Sequence, residues 1–544
     1  MAEQNSGKTK KQGFLQGAAI LTFGTLLVKL IGALYKIPMN RIIGTEGFGH
    51  FNVAYSIYNV LLMISSTGLP IAVSRMISEA NTLGRKQQVQ KIYKVSLRLF
   101  LIVGIVCSGT MLIFAPQLAK LMRDADAVYA IAALAPAVLF VCIICSFRGY
   151  FQGQQYMTPT AVSQVIEALC KLILGLGAVF LILRLGFGVA EAAGGAILGV
   201  TLGTVFAAVY LFFQYRKKQV VLTEADRSIP ADSTSATLKQ LLKLAVPITI
   251  GSAGLQIFNA LDTMIIQGRL QDAIGLTVKE ATSMFGTYSA AQTFYMLPSA
   301  LVQPLAISVI PTVTAALTLN NYRKARSTEE SAVRMTALIG LPCGAGLAVL
   351  ASPIQKWLYG YDAETLSVAG PILALLGVAV IFNCMVTVTN GILQAHGNVN
   401  IPIYTTLVGG LVNIITDYVL IGMGAIHIYG AAIATIAYCA VIMFLNVIAM
   451  HRTMDLPPRI LKQFVKPMIA TALMAVAAYL TYEAVWNLLG STALSTIASV
   501  CVAGIVYLAL VYGMKIITWE DCQLLPKSQL IARILHITPD SAED

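Results

Sequence analysis

Charge is scarce in this sequence. Of 544 residues only 11% are Asp, Glu, Lys or Arg, against roughly 25% in soluble globular domains. A water-soluble fold needs charge to cover its surface, so the shortage argues against a soluble enzyme or binding module. Histidine is scarcer still, with five in the chain. Four of them, His50, His396, His427 and His451, fall near the ends of apolar runs, so no His-rich metal site is legible. A Walker loop and a nucleophile elbow are also absent from the sequence. The chain is therefore not expected to be an enzyme, to bind a cofactor or to be driven by ATP of its own. Ion gradients and the membrane potential remain as driving forces. The nine cysteines sit mostly inside apolar runs, such as Cys107, Cys170, Cys384 and Cys501. Cys142 and Cys145 form a C-x-x-C within an apolar helix and without a second ligand pair, so they read as small apolar-compatible residues.

What is abundant is apolar sequence. Hydrophobic residues make up 57% of the chain. They form runs of about 20 residues or more, the length a helix needs to cross hydrocarbon. The runs lack the short alternation of barrel strands, and helices then remain as the way to satisfy the backbone in lipid. Fourteen spans are expected, at 14–36, 48–70, 92–114, 128–150, 160–183, 190–213, 241–266, 284–311, 332–352, 366–392, 401–423, 428–450, 465–488 and 493–516. The polar, basic start MAEQNSGKTKKQG and a first run of full span length predict no cleavable signal peptide.

Lysine and arginine set the orientation. With Lys8, Lys10 and Lys11 inside, so are Arg85, Lys86 and Lys91 after span 2, Arg216, Lys217 and Lys218 after span 6, Arg323, Lys324 and Arg326 after span 8, and Arg452, Arg459 and Lys462 after span 12. About 27 Lys and Arg fall on that side and about 8 on the other. Both termini are thus expected to be cytoplasmic. The net charge of +12 then reflects topology and contact with anionic lipids, not nucleic-acid binding.

The sequence also resembles itself. Residues 48–58, FGHFNVAYSIY, match residues 285–295, FGTYSAAQTFY, through Phe48/Phe285, Gly49/Gly286, Ala54/Ala291 and Tyr58/Tyr295. Residues 148–159, RGYFQGQQYMTP, match residues 390–402, NGILQAHGNVNIP, through Gly149/Gly391 and Gln152/Gln394. A weaker pair is Thr22–Gly24 with Thr249–Gly251. The spacing is close to six spans, an even number, so the copies would be parallel about an axis along the membrane normal. The expected organisation is a cytoplasmic tail at 1–13, a six-helix lobe at 14–215, a cytoplasmic linker at 216–240, a second six-helix lobe at 241–450, two further helices at 451–516 and a cytoplasmic tail at 517–544. Such halves suit alternating access around a site near the midplane.

Each ionisable residue inside these spans costs at least about 2.5–3.5 kcal/mol and needs a reason. Span 1 carries Lys29 and Lys36 on one stripe with Thr25 and Gly32, and no acid. They either face a water-filled cavity or, for Lys36 above all, snorkel to the interface. Span 5 carries Glu167 and Lys171 in the order and spacing of an intrahelical bridge, which competes with a cavity role. Arg148 ends span 4, as a cavity residue or a positive-inside anchor. Arg75 follows Gly68–Pro70 and has Glu79 four residues on as a partner. Asp262, near Asn259, is an acid inside the second lobe, and Asn413 and Asp417 form a similar polar pair. The first lobe's interior charges are mostly basic, which suits an anionic substrate better than a cationic drug.

The chain resembles the multidrug/oligosaccharidyl-lipid/polysaccharide exporter superfamily, in its branch of MurJ-like lipid II flippases and stage V sporulation protein B. The resemblance lies in KLIGALYKIPM at 29–39, IIGTEGFGHF at 42–51, AYSIY at 54–58, GLPIAVSR at 68–75, RGYFQGQ at 148–154 and TPTAVSQVIE at 158–167, with a looser match to about residue 515. It implies a flippase of the bacterial cell membrane for a polyprenyl-diphosphate-linked glycan, lipid II first among them, with cell-wall synthesis enzymes as further partners. It implies a central cationic cavity with Lys29, Lys36 and Arg75 as its basic residues, Glu167 and Lys171 lining the first lobe, and a groove for the lipid tail at spans 13 and 14. The family's second lobe often adds an arginine in span 8, and none lies between Met284 and Pro311. Asp262 also sits awkwardly in a purely anion-binding cavity. Another lipid-linked glycan, a spore-cortex intermediate, a cation-coupled drug antiport and a scaffolding role remain alternatives.

Overall fold

The computed structural model describes residues 14–66, 68–218, 226, 230–518 and 521. Among them the regular structure is helical throughout, without a strand. Twelve stretches are long and apolar enough to cross a membrane. The first of these, Phe23–Thr82, takes in the second expected span and residues 23–36 of the first. The helix Thr234–Asp272, which covers the expected span 241–266, is not among the twelve. The other expected spans each fall on one of the remaining eleven stretches, to within a few residues at their ends.

The chain divides into two compact units, residues 1–267 and 268–544. The first begins with α1 (Phe14–Ser66), a stretch of 53 residues. At 1.5 Å per residue a straight helix of that length runs about 80 Å, more than twice the hydrocarbon thickness. It is not straight. Gly44 has φ 69° and ψ −177°, a left-handed backbone that costs glycine little. The chain folds back there: the rings of Tyr35 and Phe51, sixteen residues apart, have centroids at 6.1 Å. On a straight helix they would be about 24 Å apart. Spans 1 and 2 therefore form a hairpin.

The unit continues with α2 (Gly68–Thr82), α3 (Lys86–Ile113), α4 (Ala115–Leu121), α5 (Val128–Gly153), α6 (Thr158–Cys170), α7 (Leu176–Arg184), α8 (Val189–Lys218) and most of α9 (Thr234–Asp272). Between α6 and α7 the helix widens into a π-turn at Lys171–Gly175, a feature that often marks functional positions. Gly175 and Gly199 let this turn and α8 touch backbone to backbone: a Cβ built on Gly199 would collide with the Cα of Gly175. The hydroxyl of Tyr35 closes the same corner by donating to the Ala196 carbonyl at 2.9 Å. The core joins α2, α3, α5 and α8 through Ile77, Ile92, Phe100 and Phe151, with Tyr93 stacked on Tyr215 at 4.3 Å. Arg85–Asp232 (2.6 Å) and Lys86–Asp226 (3.0 Å) fasten the linker to the start of α3.

The second unit holds α10 (Val278–Thr318), α11 (Tyr322–Val349), α12 (Ala351–Tyr359), α13 (Ala363–Ala395), α14 (Ile401–Ile421), α15 (Tyr429–Thr453), α16 (Ile460–Leu489) and α17 (Thr492–Gly513). A reciprocal capping box between Thr277 and Glu280 starts α10. Met335, Met474 and Tyr507 pack α11, α16 and α17 together.

The repeated motifs occupy equivalent places within their units. Phe48, Phe51, Ala54 and Tyr58 are all buried, and so are Phe285, Tyr288, Ala291 and Tyr295. Gly149 sits against Val73, and Gly391 against Ala306; each contact is with helix a few turns downstream of that unit's FG motif. One buried face and one close glycine contact thus recur in each half.

Candidate functional site

A cavity of about 690 Å³ opens inside the first unit. The α1 hairpin contributes both of its arms, through Lys29 and Gly32 on one and Tyr55, Tyr58 and Asn59 on the other. The C-terminal half of α5 adds Arg148 and Gln152, and α6 adds Gln164 and Glu167. Lys171, the first residue of the π-turn, completes the polar wall. Lys29, Arg148, Glu167 and Lys171 are thus four of the seven residues expected from the sequence.

Their pairing differs from the intrahelical bridge that the spacing of Glu167 and Lys171 suggests. Glu167 receives a hydrogen bond from the Arg148 guanidinium at 3.2 Å, and the side chains are 29% and 17% exposed. Arg148 Nε also donates to the Ser163 hydroxyl at 3.1 Å. Arg148 is therefore a cavity residue held by α6. Lys171 turns the other way. Its ammonium donates to the Tyr55 hydroxyl at 3.0 Å and lies 4.9 Å from the ring centres of Tyr35 and Tyr55 and 5.9 Å from that of Phe51. Rings hold a cation by their quadrupole, worth about 0.5–2 kcal/mol each according to solvation. They do not neutralise it as a carboxylate does.

The remaining three candidates lie elsewhere in the unit. Lys36 is half-buried with its ammonium 6.0 Å from the Phe48 ring centre, and does not line the cavity. Arg75 is exposed on α2, although Pro70 and Ile71 of the same helix reach the cavity. The suggested partner Glu79 is exposed too, and no ion pair joins it to Arg75 among the described residues. Asp262 is half-buried on α9, next to Thr263, whose hydroxyl donates to the Asn259 carbonyl at 3.0 Å. In the second unit, Asn413 donates to the fully buried Asp417 at 2.7 Å.

Sequence reasoning passes over the three rings around Lys171, although Tyr55 sits in the AYSIY motif. It also passes over Arg334, inside the expected span 332–352. Arg334 is fully engaged: it donates to Asp521 at 2.6 and 2.7 Å, to Gln463 at 2.7 Å and to Thr518 at 2.7 Å. It clamps α11 to α16 and to the chain beyond α17.

The cavity wall therefore carries three cations against one acid, with amides and phenols between them. Where water is scarce such a wall favours an anion strongly; two unit charges 4 Å apart interact by about 4 kcal/mol at an effective dielectric of 20. One guanidinium is already half-committed to Glu167, whereas the Lys171 ammonium is held by groups that an incoming anion can outcompete.

Comparison with known proteins agrees with this architecture. The family model for polysaccharide biosynthesis proteins matches residues 14–317, and that of MatE matches residues 247–419. The chain belongs to the polysaccharide biosynthesis protein family. Lipid II flippase MurJ of Bacillus subtilis is 26% identical over 481 residues, covering 85% of this chain and 87% of that protein. Stage V sporulation protein B of the same organism is 24% identical over 532 residues, covering 96% and 99%. Among solved structures, lipid II flippase MurJ in an inward closed conformation superposes with a TM-score of 0.65 at 15% identity, over 95% of this chain and all of that one. An inward-facing multidrug resistance MATE transporter of the MOP superfamily gives 0.64 at 16% identity, over 83% and 95%. The fold is that of these solved transporters, and the protein is a multi-pass protein of the bacterial cell membrane.

Proposed function

We propose that this protein moves a polyprenyl-diphosphate-linked glycan precursor, lipid II, from the inner to the outer leaflet by alternating access. The observation that carries the reading is the cationic wall of Lys29, Arg148 and Lys171 in an apolar membrane domain. A diphosphate needs such a wall to leave water, while its polyprenyl chain stays in lipid. The likeness to lipid II flippase MurJ supports the choice of substrate. The reading includes fourteen spans with both ends cytoplasmic, two pseudo-symmetric six-helix lobes followed by two helices, and drive from an ion gradient or the membrane potential. A second substrate, a lipid-linked glycan used in sporulation, is favoured by the nearly full-length match to stage V sporulation protein B. Depletion in the native host, with mass spectrometry of lipid-linked precursors, tests both. Accumulated lipid II in growing cells supports the first substrate. Accumulation confined to sporulating cells supports the second, and unchanged precursor pools in both overturn the proposal.

A further inference from the structure

A second cavity, of about 510 Å³, lies in the second unit where α15 ends and α16 begins. Its lining combines basic side chains, Arg326, His451, Arg459 and Lys462, one acid, Asp455, and apolar side chains, Val447, Leu456, Pro458, Ile460 and Leu461. The basic lining is fixed in place by Glu330, which accepts from the Arg326 side chain and from the Arg459 backbone N–H, both at 3.0 Å. That arrangement occupies the charge of Arg326. It leaves the exposed guanidinium of Arg459 and the exposed ammonium of Lys462 without an ion pair among the described residues. His451 Nδ1 lies 2.9 Å from the Val447 carbonyl, which can only accept, so the ring donates there.

The apolar residues are equally telling. Leu461 is 85% exposed, and Phe444 and Ile448 on α15 and Val465 on α16 are about half exposed. Such surface belongs against acyl chains. The cavity thus sits at the boundary between an apolar belt and a charged helix end, on the side that positive-inside counting assigns to the cytoplasm. A free anion uses only half of this lining; a phosphate head with a hydrocarbon tail uses both. Basic pockets between membrane helices at the cytoplasmic surface bind anionic lipid heads on these terms.

We propose that the cavity between α11, α15 and α16 is a binding site for the phosphate head of an anionic phospholipid, separate from the cavity of the first unit. The test is thermal unfolding of the purified full-length protein in a neutral detergent during titration with phosphatidylglycerol, phosphatidylcholine or inorganic phosphate. Phosphatidylglycerol should raise the midpoint and phosphatidylcholine should not. Arg459→Ala with Lys462→Ala should raise the half-maximal lipid concentration about 30-fold, from roughly 1 kcal/mol per basic residue at an anionic surface. Arg216→Ala with Lys217→Ala, an exposed basic pair on α8, should change it less than about 3-fold on the same scale. Equal shifts for the two pairs would mean diffuse attraction and overturn the site. Full stabilisation by inorganic phosphate alone would assign the basic lining to a free anion and overturn the lipid.

Discussion

The Arg148–Glu167 pair offers the sharpest test of the cavity. At 3.2 Å its direct attraction is about 5 kcal/mol at an effective dielectric of 20, before desolvation is subtracted. Exposed pairs retain about 0.2–1 kcal/mol, whereas breaking a buried pair costs about 3–5 kcal/mol. With side chains 17% and 29% exposed, a coupling of about 1–2 kcal/mol is expected between these limits. Glu167→Gln, Arg148→Gln and the double variant form the cycle, read by thermal unfolding of purified protein. At about 2–4 °C per kcal/mol, each single change should lower the midpoint by roughly 2–8 °C, and the double should fall little further. The parallel cycle of Glu167→Gln with Lys171→Gln should show the smaller coupling, because the Lys171 ammonium donates to Tyr55 and not to Glu167. Strong coupling to Lys171 with none to Arg148 would refute the pairing and restore the intrahelical bridge. The exchange Arg148→Glu with Glu167→Arg separates brace from binding group. It should recover the midpoint but not translocation in proteoliposomes; full recovery of both would reduce the pair to a brace.

Lys29→Ala should abolish complementation of a flippase-depleted bacterium at equal protein levels, while Lys29→Arg retains part of it because the charge survives with altered geometry. Wild-type growth with Lys29→Ala would remove that residue from the site. Gly199→Val should cost more than the 1–3 kcal/mol typical of overpacking, because its side chain meets the backbone of Gly175; a normal yield of monodisperse protein would contradict that contact. For topology, a cysteine placed at Ala273 in a variant lacking the nine native cysteines should react with an impermeant maleimide from outside. One placed at Lys217 should not, and the opposite pattern would invert the orientation.

Much of the molecule is legible from composition and order alone. A 20-residue apolar run has one stable state in lipid, so the helices and their approximate ends follow from counting, and scarce charge inside them flags Lys29, Arg148, Glu167 and Lys171. Self-similarity places Phe48 and Phe285 in matching surroundings because the same residue pattern buries the same helix face. Partnership is another matter. Sequence spacing favours Glu167 with Lys171, one helical turn apart, because only local geometry can be read along a chain. The fold brings Arg148 to Glu167 from a different helix. It also folds α1 back at Gly44, so that Tyr35, Phe51 and Tyr55 surround the Lys171 ammonium. Lys36 shares the helix stripe of Lys29, and Arg75 is a further basic residue of the first lobe, yet both lie off the cavity. A charge in a membrane helix needs water, a lipid head or a partner, and the sequence determines that need. Which of these satisfies it depends on how the helices pack, which the tertiary structure decides.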